Sequence, residues 1–471
     1  MAVSSLRLLG QIITDSIDII ERRMADASLS FPSLDEPFNS TSKVESVLVE
    51  PDMSKATSHI IAAAAQLTAT VRRPVQTIMD DALAFHLSWC IRAAIDGSLV
   101  EIVREAGPQG IHINDIARKN KTDPLKVARI LRLLTNNHIF QEISPDVFAS
   151  NRLSSVLDSG KSSEEVVGAS IAERHVGTSG VAAFAAMMSD EGMKAAAILP
   201  EHFLDPTLSF SGEPDETPFN RAFDTKLSLF DWYKKEKNEA FLRRFGLAMF
   251  GSRKLEPADA ILTGFQWKDL PKGSTIVDVG GGVGSLSLII AEAVPDINIV
   301  IQDGQLTIAH AEEFWKANMP SAITSGRVQL QVHDFFHPQP VKDASAFLLR
   351  SILHDWADPY VQKILKSLRA AATPETKLVV VDAIVPYSCI AEVTSAIPGA
   401  ALEPAPFPLL PSLGKANGYA YQADMTMWAY FNGQNRTLGH SVALAEECGW
   451  KIIQVHRIPG SSFGQIVAVP M

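Results

Sequence analysis

Val277-Asp278-Val279-Gly280-Gly281-Gly282-Val283-Gly284 is the stretch whose reading decides the fold. It continues a short β-branched run from Ser274 that reads as a buried strand. It leads into Ser285-Leu286-Ser287-Leu288-Ile289-Ile290-Ala291, which reads as a helix. Glycines between a strand and a helix let the backbone approach a ligand closely, with the helix N-terminus facing it. A dinucleotide site would read G-x-G-x-x-G, and Ser285 stands where its third glycine belongs. The chain reads D-x-G-x-G-x-G instead, with Asp278 at the mouth of the turn. A carboxylate there would repel a pyrophosphate, but it suits a ligand that carries an ammonium and a sulfonium.

From Gly273 onward, strand and helix patterns alternate, which implies a parallel sheet with crossover helices. The candidate strands are 275–279, 297–302, 328–333, 346–349 and 377–381, followed by 451–455 and 465–469 around Ile458-Pro-Gly-Ser-Ser462. The last two read as a C-terminal hairpin. The parallel strands end on polar residues: Asp278, Asp303, Asp334, Arg350 and Asp382. In open α/β sheets, ligands sit outside these ends. One acid at a strand end is ordinarily a turn former or helix cap, but five polar ends in register point to a site. Asp303 lies 19 residues past Gly284, where a carboxylate can take both hydroxyls of a ribose. That geometry serves several cofactors and does not choose among them. Residues 386–418, rich in Pro, Ala and Ser, read as a surface insertion without chemistry.

Upstream, residues 1–72 read as a helical extension and 73–160 as a tighter domain. Two short helices, Ile113–Ala117 and Asp123–Leu134, precede a hairpin, Ile139–Ile143 and Val147–Ala149, which is a winged-helix pattern. Arg118, Lys119, Lys121, Lys126, Arg129 and Arg132 make it locally basic. A DNA-binding use is weighed against protein packing, and packing is favoured because an acidic, enzyme-sized chain follows. Residues 161–262 read as a helical linker and pocket region, and 263–471 as the catalytic domain. The 471 residues are 46% hydrophobic and 20% charged with net charge −11, which suits a globular enzyme and gives no sign of a general nucleic-acid binder. Cys90, Cys389 and Cys448 have no metal-like spacing and read as reduced thiols. No apolar run reaches the roughly 18–20 residues of a membrane span. The acid-bearing N-terminus reads as an amphipathic helix and not a signal peptide. A cytoplasmic enzyme is expected.

The segment Leu348-Leu-Arg350-Ser-Ile-Leu-His354-Asp355-Trp356-Ala-Asp358 is the most specific. With Val380-Val-Asp382-Ala-Ile-Val-Pro386 and Asn432-Gly-Gln-Asn435-Arg436-Thr437, it makes residues 75–471 resemble the plant-type, class I S-adenosylmethionine-dependent O-methyltransferases, in their fungal secondary-metabolite branch. The resemblance implies a Rossmann-like α/β sheet with a C-terminal hairpin behind a winged-helix dimerisation domain. It implies S-adenosylmethionine as cofactor, held by Asp278, Gly280 and Gly282 at the methionine part. Asp303 would hold the ribose, Asp334 and Phe335 the adenine, and Arg350 stands where plant members carry a cofactor-contacting Lys. His354 would be the general base, oriented by Asp382. The partner implied is a second copy of the chain, with a phenolic or polyketide-like small molecule as acceptor and no nucleic acid or membrane. One departure stands out. Asn435 occupies the position of the family's second acid, so it can hydrogen-bond an imidazole but adds no charge. A repurposed pericyclic or dehydrating activity is therefore the alternative. No metal is expected: His333 and His337 are four residues apart but follow a strand, and no acids cluster for Mg²⁺. Phe245 and Met249 on one helix, with Met425, Trp428 and Phe431 on another, have the spacing of core stripes. In the resembling family these helices line the acceptor.

Overall fold

The structure is a computed structural model that describes every residue except 1, 2, 172, 254, 255, 258, 391–395, 460 and 462. The described chain forms two units. One is Met1–His202 with Pro218–Leu255, the other Phe203–Thr217 with Glu256–Met471. These units cut across the linear divisions 1–72, 73–160, 161–262 and 263–471, because residues 203–217 leave the first unit and return to it.

In the first unit, α1 (Ser5–Asp26) and α2 (Pro51–Val71) pack on each other through Ile20, Met24, Met53 and Ala56. α3 (Pro74–Leu83) buries none of its side chains, and Val75, Ile78, Met79 and Leu83 on one face are all exposed. α4 (Phe85–Asp96), α5 (Leu99–Ala106), α6 (Ile113–Asn120) and α7 (Pro124–Asn136) share a core around Leu99, Ile102, Ile116, Leu131 and Phe148. The tight turn between α6 and α7 follows from local chemistry. Lys121 takes a left-handed conformation, Asp123 accepts from the Lys126 amide, and Pro124 occupies the first turn, where its missing N–H costs nothing. β1 (Ile111–His112), β2 (Gln141–Ser144) and β3 (Val147–Ala149) complete the winged helix in the order β1-β3-β2. Its basic residues are partly tied to acids of the same unit: Arg118 to Asp115 (2.7 Å), Lys119 to Glu105 (3.1 Å), and Arg132 to Glu142 (3.2 Å) and Asp146 (2.5 Å). α8 (Val181–Met187) crosses α9 (Glu239–Ser252) where Gly180 meets Gly251, and a Cβ on Gly251 would collide with the Gly180 backbone.

The second unit is built on a seven-stranded sheet. Its strands are β4 (Thr275–Val279), β5 (Asn298–Asp303), β6 (Val328–Val332), β7 (Ala346–Arg350), β8 (Lys377–Ala383), β9 (Trp450–Arg457) and β10 (Phe463–Pro470), in the order β6-β5-β4-β7-β8-β10-β9. The first five are parallel, and β10 runs antiparallel between β8 and β9. Both faces are covered, which is why the strands read as continuous apolar runs. Ile276, Ile299, Ile301 and Leu348 face α10 (Ser285–Ala293) and α11 (Gln305–Asn318), around Trp267 and Trp315. Val277, Val279, Phe347 and Leu349 face α12 (Asp358–Ala371), with Trp450. α13 (Gly418–Phe431) and α14 (Leu438–Glu447) precede the final hairpin, whose expected turn includes residues 460 and 462, outside the described residues. The insertion at 386–418 likewise includes 391–395, and its Pro398 carbonyl caps the β9 edge at Val455 (2.9 Å). Strand order reverses at β4, so the crevice outside β4, β5 and β7 is the topological switch point. Among the described residues no helix is long and apolar enough to cross a membrane.

Candidate active site

The glycine turn opens the site. Gly280, Gly282 and Gly284 all have positive φ, from 62° to 78°. A Cβ on Gly284 would strike Ile301 and Trp315, whereas one on Gly282 would stand in open space. The turn therefore packs on the core from below and leaves its upper side clear. Asp278 is buried beneath it. Its carboxylate accepts from the Ser287 hydroxyl (2.7 Å) and lies against Gly281, and burial pushes its pKa up to about 6. Asp303 accepts from the Gly282 amide (2.9 Å) on one oxygen and the Gly304 amide (2.7 Å) on the other. Each oxygen keeps a lone pair, so the carboxylate can still accept two hydroxyls. A ribose beside an open glycine cradle fits these residues. Asp334 accepts from the Phe336 amide (2.9 Å) and sits 3.2 Å from His337. Phe335 stacks edge-on to Phe336 and Trp356, and its ring lies 3.6 Å from where a Gly280 side chain would begin. Arg350 is paired with Glu256, and its guanidinium lies 5.2 Å from the centre of the Phe463 ring. Glu256 is a partner that no pattern in the sequence announces.

His354 sits in a single 3₁₀ turn, Leu353–Asp355, after β7. Its Nδ1 is 3.2 Å from Asn435 Oδ1 and 3.5 Å from Asp382 Oδ1, and its Nε2 is 3.5 Å from Asp355 Oδ1. Asn435 carries no charge, yet two carboxylates still flank the ring. Burial pushes Asp355 up to about 7 and raises Asp382 as well, with His354 pulling both the other way. Asp382 Oδ1 is a buried acceptor without a hydrogen-bond partner in the protein. In the tautomer whose Nδ1 proton is donated to Asn435 Oδ1, Nε2 presents its lone pair. Asn435 is itself held, its amide donating to Asp424 (2.8 Å).

Arg436 anchors this arrangement with all five of its N–H donors. Nε and Nη2 donate to Asp358 (3.0 and 2.8 Å), Nη2 also to the Trp356 carbonyl (2.7 Å), and Nη1 to the Leu353 and Gln434 carbonyls (2.9 and 3.2 Å). The guanidinium thus ties both flanks of the His354 turn to the loop between α13 and α14 that delivers Asn435. Of the pocket residues, Met425 is half-exposed on α13 and Trp428 meets the ring of Phe203. Phe245 packs on Phe230 and Tyr233 within the first unit, and Met249 on Ala183, Met187 and Ala248. Among the described residues no group of three or more side chains is placed to hold a metal ion.

Comparison with known proteins places this geometry in a family. The O-methyltransferase domain family matches residues 205–399, and the O-methyltransferase dimerisation domain family matches residues 79–159. An O-methyltransferase from Armillaria gallica is 42% identical, covering 99% of this chain and 100% of its own. A 4-O-methyltransferase from Phanerochaete chrysosporium is 40% identical over 96% of each chain. The solved mitomycin 7-O-methyltransferase superposes with TM-score 0.61 at 21% identity, covering 87% of this chain and 99% of that one. A pericyclic reaction enzyme superposes with TM-score 0.66 at 17% identity, covering 91% and 98%. At those identities the two structures share the fold. With its dimerisation domain, its switch-point crevice and its full-length relatives, the chain belongs to the S-adenosylmethionine-dependent O-methyltransferase family.

Proposed function

We propose that the protein methylates a hydroxyl of a phenolic or polyketide-like small molecule, with His354 as general base. The observation that carries this is the imidazole held at Nδ1 by Asn435 and Asp382, with Nε2 left for an incoming proton. A phenol of ordinary pKa near ~10 is a weak nucleophile at neutral pH, so a base that removes its proton during attack accelerates transfer. When bound, S-adenosylmethionine supplies a methyl group on a positively charged sulfur. Gly280, Gly282 and Asp303 would hold it, with Asp334 and Phe335 at the adenine and Arg350 nearby. Nε2 would take the proton of the acceptor hydroxyl, and Asp355 and Asp382 would stabilise the resulting imidazolium. The rest of the work is positioning donor and acceptor in line. Met425 and Trp428 are assigned to the acceptor.

The same reading includes a homodimer through the N-terminal region, with the exposed face of α3 as the contact. The second reading, a pericyclic or dehydrating step, is favoured only by Asn435 in place of an acid. Product mass separates the two. With S-adenosylmethionine and a panel of phenols, mass spectrometry should show a gain of one methyl. His354→Ala should lower that turnover by ~10²–10⁴ without changing S-adenosylhomocysteine affinity. Products of unchanged or dehydrated mass with the cofactor intact would sink the methyl-transfer reading.

A further inference from the structure

Residues 203–217 lie between two stretches of the first unit yet belong to the second. Three features fasten this segment. Asn432 donates from its side-chain amide to the carbonyls of Glu213 (2.9 Å) and Glu216 (3.1 Å). Tyr360 donates its hydroxyl to the Glu213 carboxylate (2.5 Å). A Cβ on Gly212 would stand 2.8 Å from that of Ala357, so the backbone runs close over the loop that follows His354. At its other end, the Phe203 ring meets Trp428 edge-to-face, with centroids 6.1 Å apart at 82°.

On α13, Met425 and Trp428 are three residues apart and share one face, and Asn432 is the left-handed residue that ends the helix. The segment follows the helix from Trp428 to Asn432. The chain leaving α13 reaches the backbone of the base residue, with Gly433 against the His354 carbonyl and the Gln434 amide donating to that carbonyl (2.8 Å). The apolar surface beside the helix face is left open: Phe203 is 58% exposed and Met425 46%. The fastenings described use Asn432, Tyr360 and backbone, and none of them uses the Phe203 ring.

We propose that Phe203 is a specificity-determining residue, forming with Trp428 the wall that sets how wide an aromatic acceptor the site admits. This rests on the acceptor reading above. An edge-to-face pair sets the two rings nearly at right angles, so together they make an apolar corner in which a planar acceptor can lie on one ring face while the other ring limits its width. Truncating Phe203 removes that limit, and enlarging it tightens it.

The test compares wild type, Phe203→Ala and Phe203→Trp, each saturated with S-adenosylhomocysteine. Calorimetry measures affinity for resorcinol, dihydroxynaphthalene and alizarin, a series of one, two and three rings. Turnover of the same phenols with S-adenosylmethionine is followed by mass spectrometry. The ratio of three-ring to one-ring affinity should rise about tenfold in Phe203→Ala, the scale on which apolar pockets discriminate by size. It should fall in Phe203→Trp, with S-adenosylhomocysteine affinity unchanged in both. A ratio constant within about twofold in both variants, against that tenfold expectation, would overturn the inference. So would loss of cofactor binding on truncation, which would make Phe203 a packing residue, or a wild type that binds none of the three phenols. Phenol binding with the expected ratio shift, but without a methylated product, would retain the wall and remove methyl transfer.

Discussion

At the scale of single residues, Asp355 compensates for what Asn435 lacks. Its carboxylate stands by Nε2, the nitrogen that gains the proton in the proposed mechanism, while Asn435 and Asp382 hold the other side. Burial has pushed Asp355 up to about 7. As pH falls through that value it takes up a proton, and the negative charge beside the forming imidazolium disappears. Turnover should therefore drop on the acid side of pH ~7. Asp355→Asn should lack this inflection and turn over roughly tenfold more slowly at pH 8, the cost of about 1.4 kcal/mol of transition-state stabilisation. A pH–rate profile of the variant that keeps the wild-type inflection would assign it to another group. Asp355 is adjacent to His354 in the sequence and was still not legible as its partner, because only the 3₁₀ turn brings its carboxylate beside the ring. Arg350 shows the same limit: its partner Glu256 lies 94 residues away, in no periodic pattern.

At the scale of elements, the glycine turn separates folding from binding. Gly284→Ala would place a methyl group into Ile301 and Trp315 at a left-handed φ, so it should cost roughly 1–3 kcal/mol of stability. Gly282→Ala meets no atom. It should cost about 1–2 kcal/mol of backbone strain, and place its methyl in the open cradle, so cofactor affinity should fall more than stability does. Denaturant melts beside S-adenosylhomocysteine titrations check this, and equal losses of stability and affinity in both variants would refute the division. This element was the most legible part of the chain. A β-branched run, closely spaced glycines and an apolar helix are all local signals, and the strands that follow are buried on both faces and read as apolar runs. Residues 203–217 were not legible in the same way. Their attachment uses the carbonyls of Glu213 and Glu216, and every residue has a carbonyl.

At the scale of the whole molecule, α3 presents Val75, Ile78, Met79 and Leu83 to solvent without burying one side chain of its own. Phe85 and Trp89 on α4 are also exposed, and exposed large apolar side chains in such number mark an interaction surface when they are contiguous. The matched dimerisation domain begins at residue 79, inside α3. Light scattering should report a dimer at micromolar concentration. Replacing Ile78 and Leu83 by Lys should yield a folded monomer with unchanged S-adenosylhomocysteine binding. A wild type that scatters as a monomer would remove the dimer from the proposed function.

The strap at 203–217 also carries a consequence for synthesis. Asn432, which holds it, is made 219 residues after Glu213. At about 5–20 amino acids per second, the strap waits roughly 10–40 s on the ribosome for this last fastening, although Tyr360 is made earlier. Phe203, Leu204 and Phe210 are exposed even in the finished protein, and Trp428, the ring that Phe203 meets, is likewise made only at the end of that interval. Nascent chains arrested before α13 should be cut by protease within this segment and be bound by chaperones there, whereas released full-length protein should resist. Equal resistance in both would mean that the strap finds its place before its anchor exists.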